Sequence, residues 1–203
     1  MNCGQLCVAP DYVLVDPSCE TAFVESYIKT VHKFFPNGTQ DPDNYARIIN
    51  ERHFNRIVGM LERSKGKIVF GGQSDPKDKW IEPTIIKVDS LDDSLLAEEI
   101  FGPLLPYIVV PGGLQEMLGI VRKLGDCPLA LYAFTHDKKQ QEMGMLRGSW
   151  VVECCVVLLT HPICSSVQYS QRWRNLQRHD LPCGDSQRPI RGSRREWKWG
   201  LQR

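Results

Sequence analysis

The sequence predicts an α/β fold with a largely parallel sheet, and three observations carry that prediction. Short apolar, β-prone runs alternate along the chain with segments whose apolar residues recur at helical spacing. The 203 residues are 42% hydrophobic and 24% charged, enough to bury a core and too apolar for wholesale disorder. No internal repeat and no low-complexity tract interrupts the first three quarters of the chain.

Tyr12–Val15 is the first predicted strand, ended by Asp16-Pro17. Asp16 suits the cap of a helix and Pro17 its first position, because proline lacks the N–H that this position leaves unpaired anyway. Phe23, Val24, Tyr27, Ile28, Val31, Phe34 and Phe35 then follow a helical period until Pro36-Asn37-Gly38 stops it. A second helix is predicted over Glu51–Ser64, with Phe54, Ile57, Val58 and Leu61 on one face. Lys67–Phe70 reads as a strand closed by Gly71-Gly72, and Ile81–Val88 as another with Pro83 near its start. Leu104–Val110 reads as a buried strand, Leu114–Leu124 as a helix, Leu129–Thr135 as a strand and Asp137–Leu146 as a helix. Val151–Leu159 reads as one more strand.

Charge divides the chain. Residues 1–163 carry a net −5 and residues 164–203 a net +6, which leaves +1 overall. The basic stretch, rich in Arg and Trp, has no helical or strand period. We therefore expect a domain over 1–150 and a divergent, irregular basic tail over 151–203, the transition falling between Arg147 and Cys164. A net charge of +1 gives no global reason to expect a nucleic-acid partner. The alternative is a tail that grips single-stranded nucleic acid through phosphate charge and base stacking. No run of about 18 apolar residues is present, so no transmembrane helix is expected, and the first residues lack the basic and apolar regions of a secretion signal. The expected location is the cytoplasm, with membrane association of an intact parent through a C-terminus absent from this sequence as the alternative. Eight cysteines include no Cys-x-x-Cys pair and the five histidines share no ligand spacing, so no metal site is expected and the thiols are read as reduced. Asn37-Gly38-Thr39 is read as a turn rather than a glycosylation site.

Two segments carry candidate chemistry. Cys7 lies in a Gly-containing stretch leading into the first strand. A thiol acts as a nucleophile only as thiolate, which requires a polar, partly exposed setting. Local composition fits that setting, and fits equally an inert buried cysteine. Glu98-Glu99-Ile100-Phe101-Gly102-Pro103 marks a tight turn before a strand. A carboxylate there can accept hydrogen bonds from sugar hydroxyls beside an aromatic ring that packs on a flat heterocycle, or it can simply be a solvated acid at a helix end.

Asn2-Cys3-Gly4-Gln5-Leu6-Cys7 followed by Ala9-Pro10-Asp11-Tyr12 resembles the catalytic-cysteine signature of aldehyde dehydrogenases, in the class 3 branch that includes the fatty aldehyde dehydrogenases. Glu98–Pro103 resembles a second signature of that family. Arg47-Ile48-Ile49-Asn50, Arg52-His53-Phe54 and Pro128–Phe134 resemble the same branch, so the likeness runs from residue 2 to about residue 147.

The resemblance implies part of an aldehyde dehydrogenase catalytic domain and a set of roles. Cys7 is the nucleophile that attacks the aldehyde carbonyl, with its own backbone N–H as one donor to the oxyanion. Glu99 holds the nicotinamide ribose hydroxyls, and Phe101 packs beside the nicotinamide of NAD or NADP. The implied substrate is a medium- or long-chain aliphatic or aromatic aldehyde, and the intact parent is expected to be a homodimer. The family's coenzyme-binding domain and its closing Pro-Phe-Gly-Gly motif have no counterpart in the sequence. The expectation is therefore a fragment of the catalytic domain from a truncated or misread gene, with Met1 at the place of an internal methionine, and inactive alone. Two other readings stay open: a regulatory pseudoenzyme that pairs with an intact relative, and the basic-tail binding module.

Overall fold

The computed structural model describes residues 2–124, 130–135 and 155–159, the last of these as backbone. They all lie within one compact unit, Met1–Ser170. The helix expected over Asp137–Leu146 and the basic tail after Cys164 fall outside the described residues.

Strand β1 runs over Pro10–Val15. Asp16 then accepts the Ser18 N–H and caps a short 3-10 turn, Pro17–Cys19, which leads directly into helix α1, Glu20–Phe34. Helix α2, Glu51–Arg63, is capped by Asn50, whose side chain accepts the His53 N–H. Strand β2 covers Lys67–Phe70. The single strand expected over Ile81–Val88 is two strands. Trp80–Ile81 (β4) pairs antiparallel with Ser74–Asp75 (β3) as a small hairpin, and Thr84–Lys87 (β5) enters the main sheet. The break falls at Pro83, which has no N–H to donate to a ladder. Strand β6 spans Leu104–Val109, helix α3 Gly113–Leu124, strand β7 Ala130–Phe134 and strand β8 Cys155–Leu159. The last of these lies after residue 150.

The main sheet has the order β2-β5-β6-β1-β8-β7. All its pairings are parallel except that of β2 with β5 at one edge. Helices cover both faces, as parallel strands require. Successive side chains of a strand point to opposite faces, and β1 divides accordingly. Tyr12 and Leu14 join the apolar layer formed with Phe54, Ile57 and Met60 of α2 and Met117 and Val121 of α3. Val13 and Val15 join Ile85 and Tyr107 on the other face, where Phe23, Val24 and Tyr27 of α1 close over them. Phe23 meets the Tyr107 ring edge to face with centroids 5.7 Å apart. Within β1, Leu14 and Val15 are fully buried.

Candidate active site

The register Val13↔Tyr107, Leu14↔Ile108 and Val15↔Val109 sets β1 and β6 side by side and parallel. The chain segments that lead into these two strands therefore emerge at the same edge of the sheet. One is the Cys7 segment and the other is the Glu98–Pro103 turn.

The Cys7 segment is a folded turn. Asn2–Gly4 form a 3-10 turn in which Asn2 (φ 46°), Cys3 (φ 51°) and Gly4 (φ 74°) all have left-handed backbone. Gln5 N–H donates to the Asn2 carbonyl at 3.0 Å, and Ala9 N–H to the Leu6 carbonyl at 2.9 Å. The side chain of Gln5 fastens the turn to the stretch before α2: its amide NH2 donates to the Arg47 carbonyl at 2.9 Å, and its Oε1 accepts the Ile49 N–H at 3.0 Å. From the other side, the Tyr132 hydroxyl of β7 donates to the Val8 carbonyl at 3.2 Å. The result separates two thiols. Cys7 is exposed, with Val8 beside it 52% exposed. Cys3 is buried and its Sγ lies 2.6 Å from the Ala46 carbonyl oxygen. Burial pushes the Cys3 thiol above its ordinary range and holds it protonated.

The second segment presents Glu98, Glu99 and Phe101 to solvent while Ile100 between them is buried. Phe101 takes φ 47°, a left-handed conformation uncommon for an aromatic residue, and remains 39% exposed. Its backbone is held by Arg56 of α2, whose guanidinium donates to the Glu99 carbonyl at 2.9 Å and the Ile100 carbonyl at 2.5 Å. The same guanidinium lies 3.8 Å from the Glu98 carboxylate.

Two contacts join the segments. The Asp11 carboxylate, four residues after Cys7, accepts the Ile100 N–H at 2.8 Å. Gly4 lies so close to the Gly102 backbone that a Cβ on it would stand 2.2 Å from the Gly102 carbonyl oxygen. Glycine at position 4 permits this approach and suits its positive φ, while a Cβ on Gly102 would stand 2.7 Å from the Ile57 side chain. Asp11 is 9% exposed, and its carboxyl is pushed up to about 6. Burial is the main cause, and the nearby Glu99 charge adds to it. The Ile100 N–H and the Arg56 charge act in the opposite direction.

Cys7, Glu99 and Phe101 thus share one edge of the sheet, each presented outward. An exposed carboxylate that can accept hydroxyl hydrogen bonds, next to an exposed aromatic face, suits a ligand that carries hydroxyl groups and a flat ring. Sequence reasoning missed Gln5, Asp11 and Arg56. The one signal in the sequence was a carboxylate at Asp11 beside the apolar run Tyr12–Val15. Among the described residues no group of three His, Cys, Asp or Glu side chains is placed to hold a metal ion, and no helix is long and apolar enough to cross a membrane.

The model of the aldehyde dehydrogenase family matches residues 1–143. Over 135 residues the chain is 45% identical to a β-apo-4'-carotenal oxygenase of Neurospora crassa, which covers 66% of this chain and 25% of that protein. Over 139 residues it is 40% identical to the dimeric NADP-preferring aldehyde dehydrogenase of Bos taurus, covering 68% of this chain and 56% of the relative. The chain therefore spans between a quarter and somewhat over half the length of these curated relatives. Among solved structures, a substrate-bound AldH of Staphylococcus aureus superposes with a TM-score of 0.68 at 31% identity, over 78% of this chain and 34% of that one. A family match over residues 1–143 of 203, with relatives 40% and 45% identical over about two thirds of the chain, makes this chain a member of the aldehyde dehydrogenase family.

Proposed function

We propose that this chain carries the nucleophile and the nicotinamide-side residues of an NAD- or NADP-linked oxidation of aldehydes to carboxylic acids. The observation that supports this most is the shared edge of β1 and β6, where exposed Cys7 and the Glu99–Phe101 turn are joined through Asp11 and Gly4. In this reading the Cys7 sulfur adds to the aldehyde carbonyl and forms a thiohemiacetal. The Cys7 backbone N–H donates to the oxygen that gains charge. A dinucleotide, when bound, supplies the hydride acceptor. Glu99 would accept hydrogen bonds from the ribose hydroxyls, and Phe101 would pack beside the nicotinamide. Loss of hydride from the thiohemiacetal carbon leaves a thioester on Cys7, which water hydrolyses.

The substrate class in this reading is a medium- or long-chain aliphatic or aromatic aldehyde. The carotenal named for the Neurospora relative is a long, apolar aldehyde and favours that choice. A homodimer is the proposed assembly, and the word dimeric in the name of the bovine relative favours it. In this reading residues 1–150 form the family's part of the chain, strand β8 at Cys155–Leu159 belongs to the same sheet and the basic extension follows it in the sequence, and the cytoplasm, where the free thiols Cys3, Cys7 and Cys19 stay reduced, is the proposed compartment.

The test is a graft. Residues 1–143 replace the matching segment of the bovine relative, and formation of NADH or NADPH from a fatty aldehyde is followed. The graft is expected to turn over. Cys7→Ser is expected to lower kcat by at least about 10³-fold, and Glu99→Gln to raise the KM for coenzyme. A graft whose turnover survives Cys7→Ser would overturn the assignment.

A further inference from the structure

We propose that Asp11 is the positioning residue that sets the nucleophile segment and the nicotinamide-side turn in register, by holding the Ile100 N–H. The inference rests on the roles proposed above for Cys7 and Glu99. Ile100 stands between the two residues that face the nucleotide in that reading, and its own buried side chain anchors the turn. Its peptide groups are gripped from two elements. Asp11 of β1 takes the N–H at 2.8 Å, and Arg56 of α2 takes the carbonyls of Glu99 and Ile100 at 2.9 and 2.5 Å. Each partner has the charge that the peptide dipole calls for: a carboxylate at the N–H and a guanidinium at the carbonyls. With the backbone fixed at three points, the left-handed conformation of Phe101 is held, and only the side chains of Glu99 and Phe101 remain to adjust.

Asp11 is also the inward residue nearest to Cys7 on β1, so one carboxylate connects both halves of the proposed site. Little solvent competes for it, because it is largely buried. The charged groups facing it are Glu99 from the turn and Arg56 from α2, and Glu98 in turn faces Arg56. Burial pushes the carboxyl up to about 6, so the acceptor loses its charge within the mildly acidic range. Titration of this carboxyl therefore changes the strength of its hydrogen bond to Ile100 within that range.

The test uses the full 203-residue chain, labelled with nitrogen-15 and carbon-13 and followed by NMR between pH 4.5 and 8. The Ile100 and Cys7 amide signals and the Asp11 carboxyl signal are expected to shift together with one midpoint near 6. Asp11→Asn keeps an acceptor oxygen and is expected to remove that titration from both amides while leaving Ile100 protected from exchange. Asp11→Ala is expected to raise Ile100 amide exchange about tenfold, the loss of one hydrogen bond. Should Asp11→Ala fail to fold, the wild-type and Asp11→Asn titrations decide alone. Amides that do not titrate with the Asp11 carboxyl, or that keep their titration in Asp11→Asn, would overturn the proposal. The two readings fail separately. A graft active with Cys7→Ser leaves the titration intact, and a chain without the titration leaves the graft's dependence on Cys7 intact.

Discussion

The two ends of the paired strands β1 and β6 are built by different rules. At the trailing end the chain obeys local preference: Val110 N–H donates to the Val15 carbonyl at 2.8 Å, Asp16 caps the next turn, and α1 and α3 start close by. At the leading end the same strands are preceded by segments that violate it. Four described non-glycine residues have positive φ, and three of them, Asn2, Cys3 and Phe101, lie there; the fourth, Lys79, belongs to the β3–β4 hairpin. Exposed Val8 and Phe101 and the buried carboxylate of Asp11 are at the leading end as well. Strain of this kind persists only where surrounding contacts over-determine it, and here Gln5, Arg56 and Asp11 supply them. The trailing end acts as scaffold, and the leading end carries the candidate site.

Mutations can break this comparison or sharpen it. The largest expected effect is Leu14→Ala, which removes a fully buried side chain from the layer between β1, α2 and α3. A loss of about 2–5 kcal/mol in urea unfolding is expected, with both ends affected alike. Asp11→Asn is expected to act in the opposite direction. The native carboxyl titrates near 6, above the ordinary 3.8, so the folded state binds the proton more tightly than the unfolded one. Stability contributed by this group is then present below about pH 4 and is lost as pH rises to 6, by up to about 3 kcal/mol. The amide is therefore expected to stabilise the chain at pH 7.5 by roughly 1–3 kcal/mol and to have no effect at pH 4. Equal stability of the two proteins at pH 7.5 would refute the strained-carboxylate account. Gly4→Ala is expected to cost about 1–2 kcal/mol, because alanine must adopt positive φ and its methyl meets the Gly102 carbonyl. Its mark is local: amide exchange quickens in residues 2–9 and 99–103 and stays unchanged in α1 and α3.

The same contrast explains what the sequence discloses. Elements whose residues follow their own local period were readable, and the helix over Glu51–Arg63 and the strands over Lys67–Phe70 and Leu104–Val109 lie within a residue of the expected bounds. The β3–β4 hairpin was not readable, because two-residue strands have no period and Ile81 and Ile85 look continuous across Pro83. Cys7, Glu99 and Phe101 stood out through residue type and family resemblance. Gln5, Asp11 and Arg56 did not, since their role is to bind main-chain groups of residues 42 to 89 positions away, and a main-chain partner leaves no trace in residue type.

The turn that carries Cys7 also carries Cys3, yet only one of these sulfurs meets the outside. With Cys3 tucked against the Ala46 carbonyl, an electrophile arriving at this rim encounters a single target. Selectivity between two identical functional groups is thereby achieved through packing alone, before any activation of the reacting thiol is required.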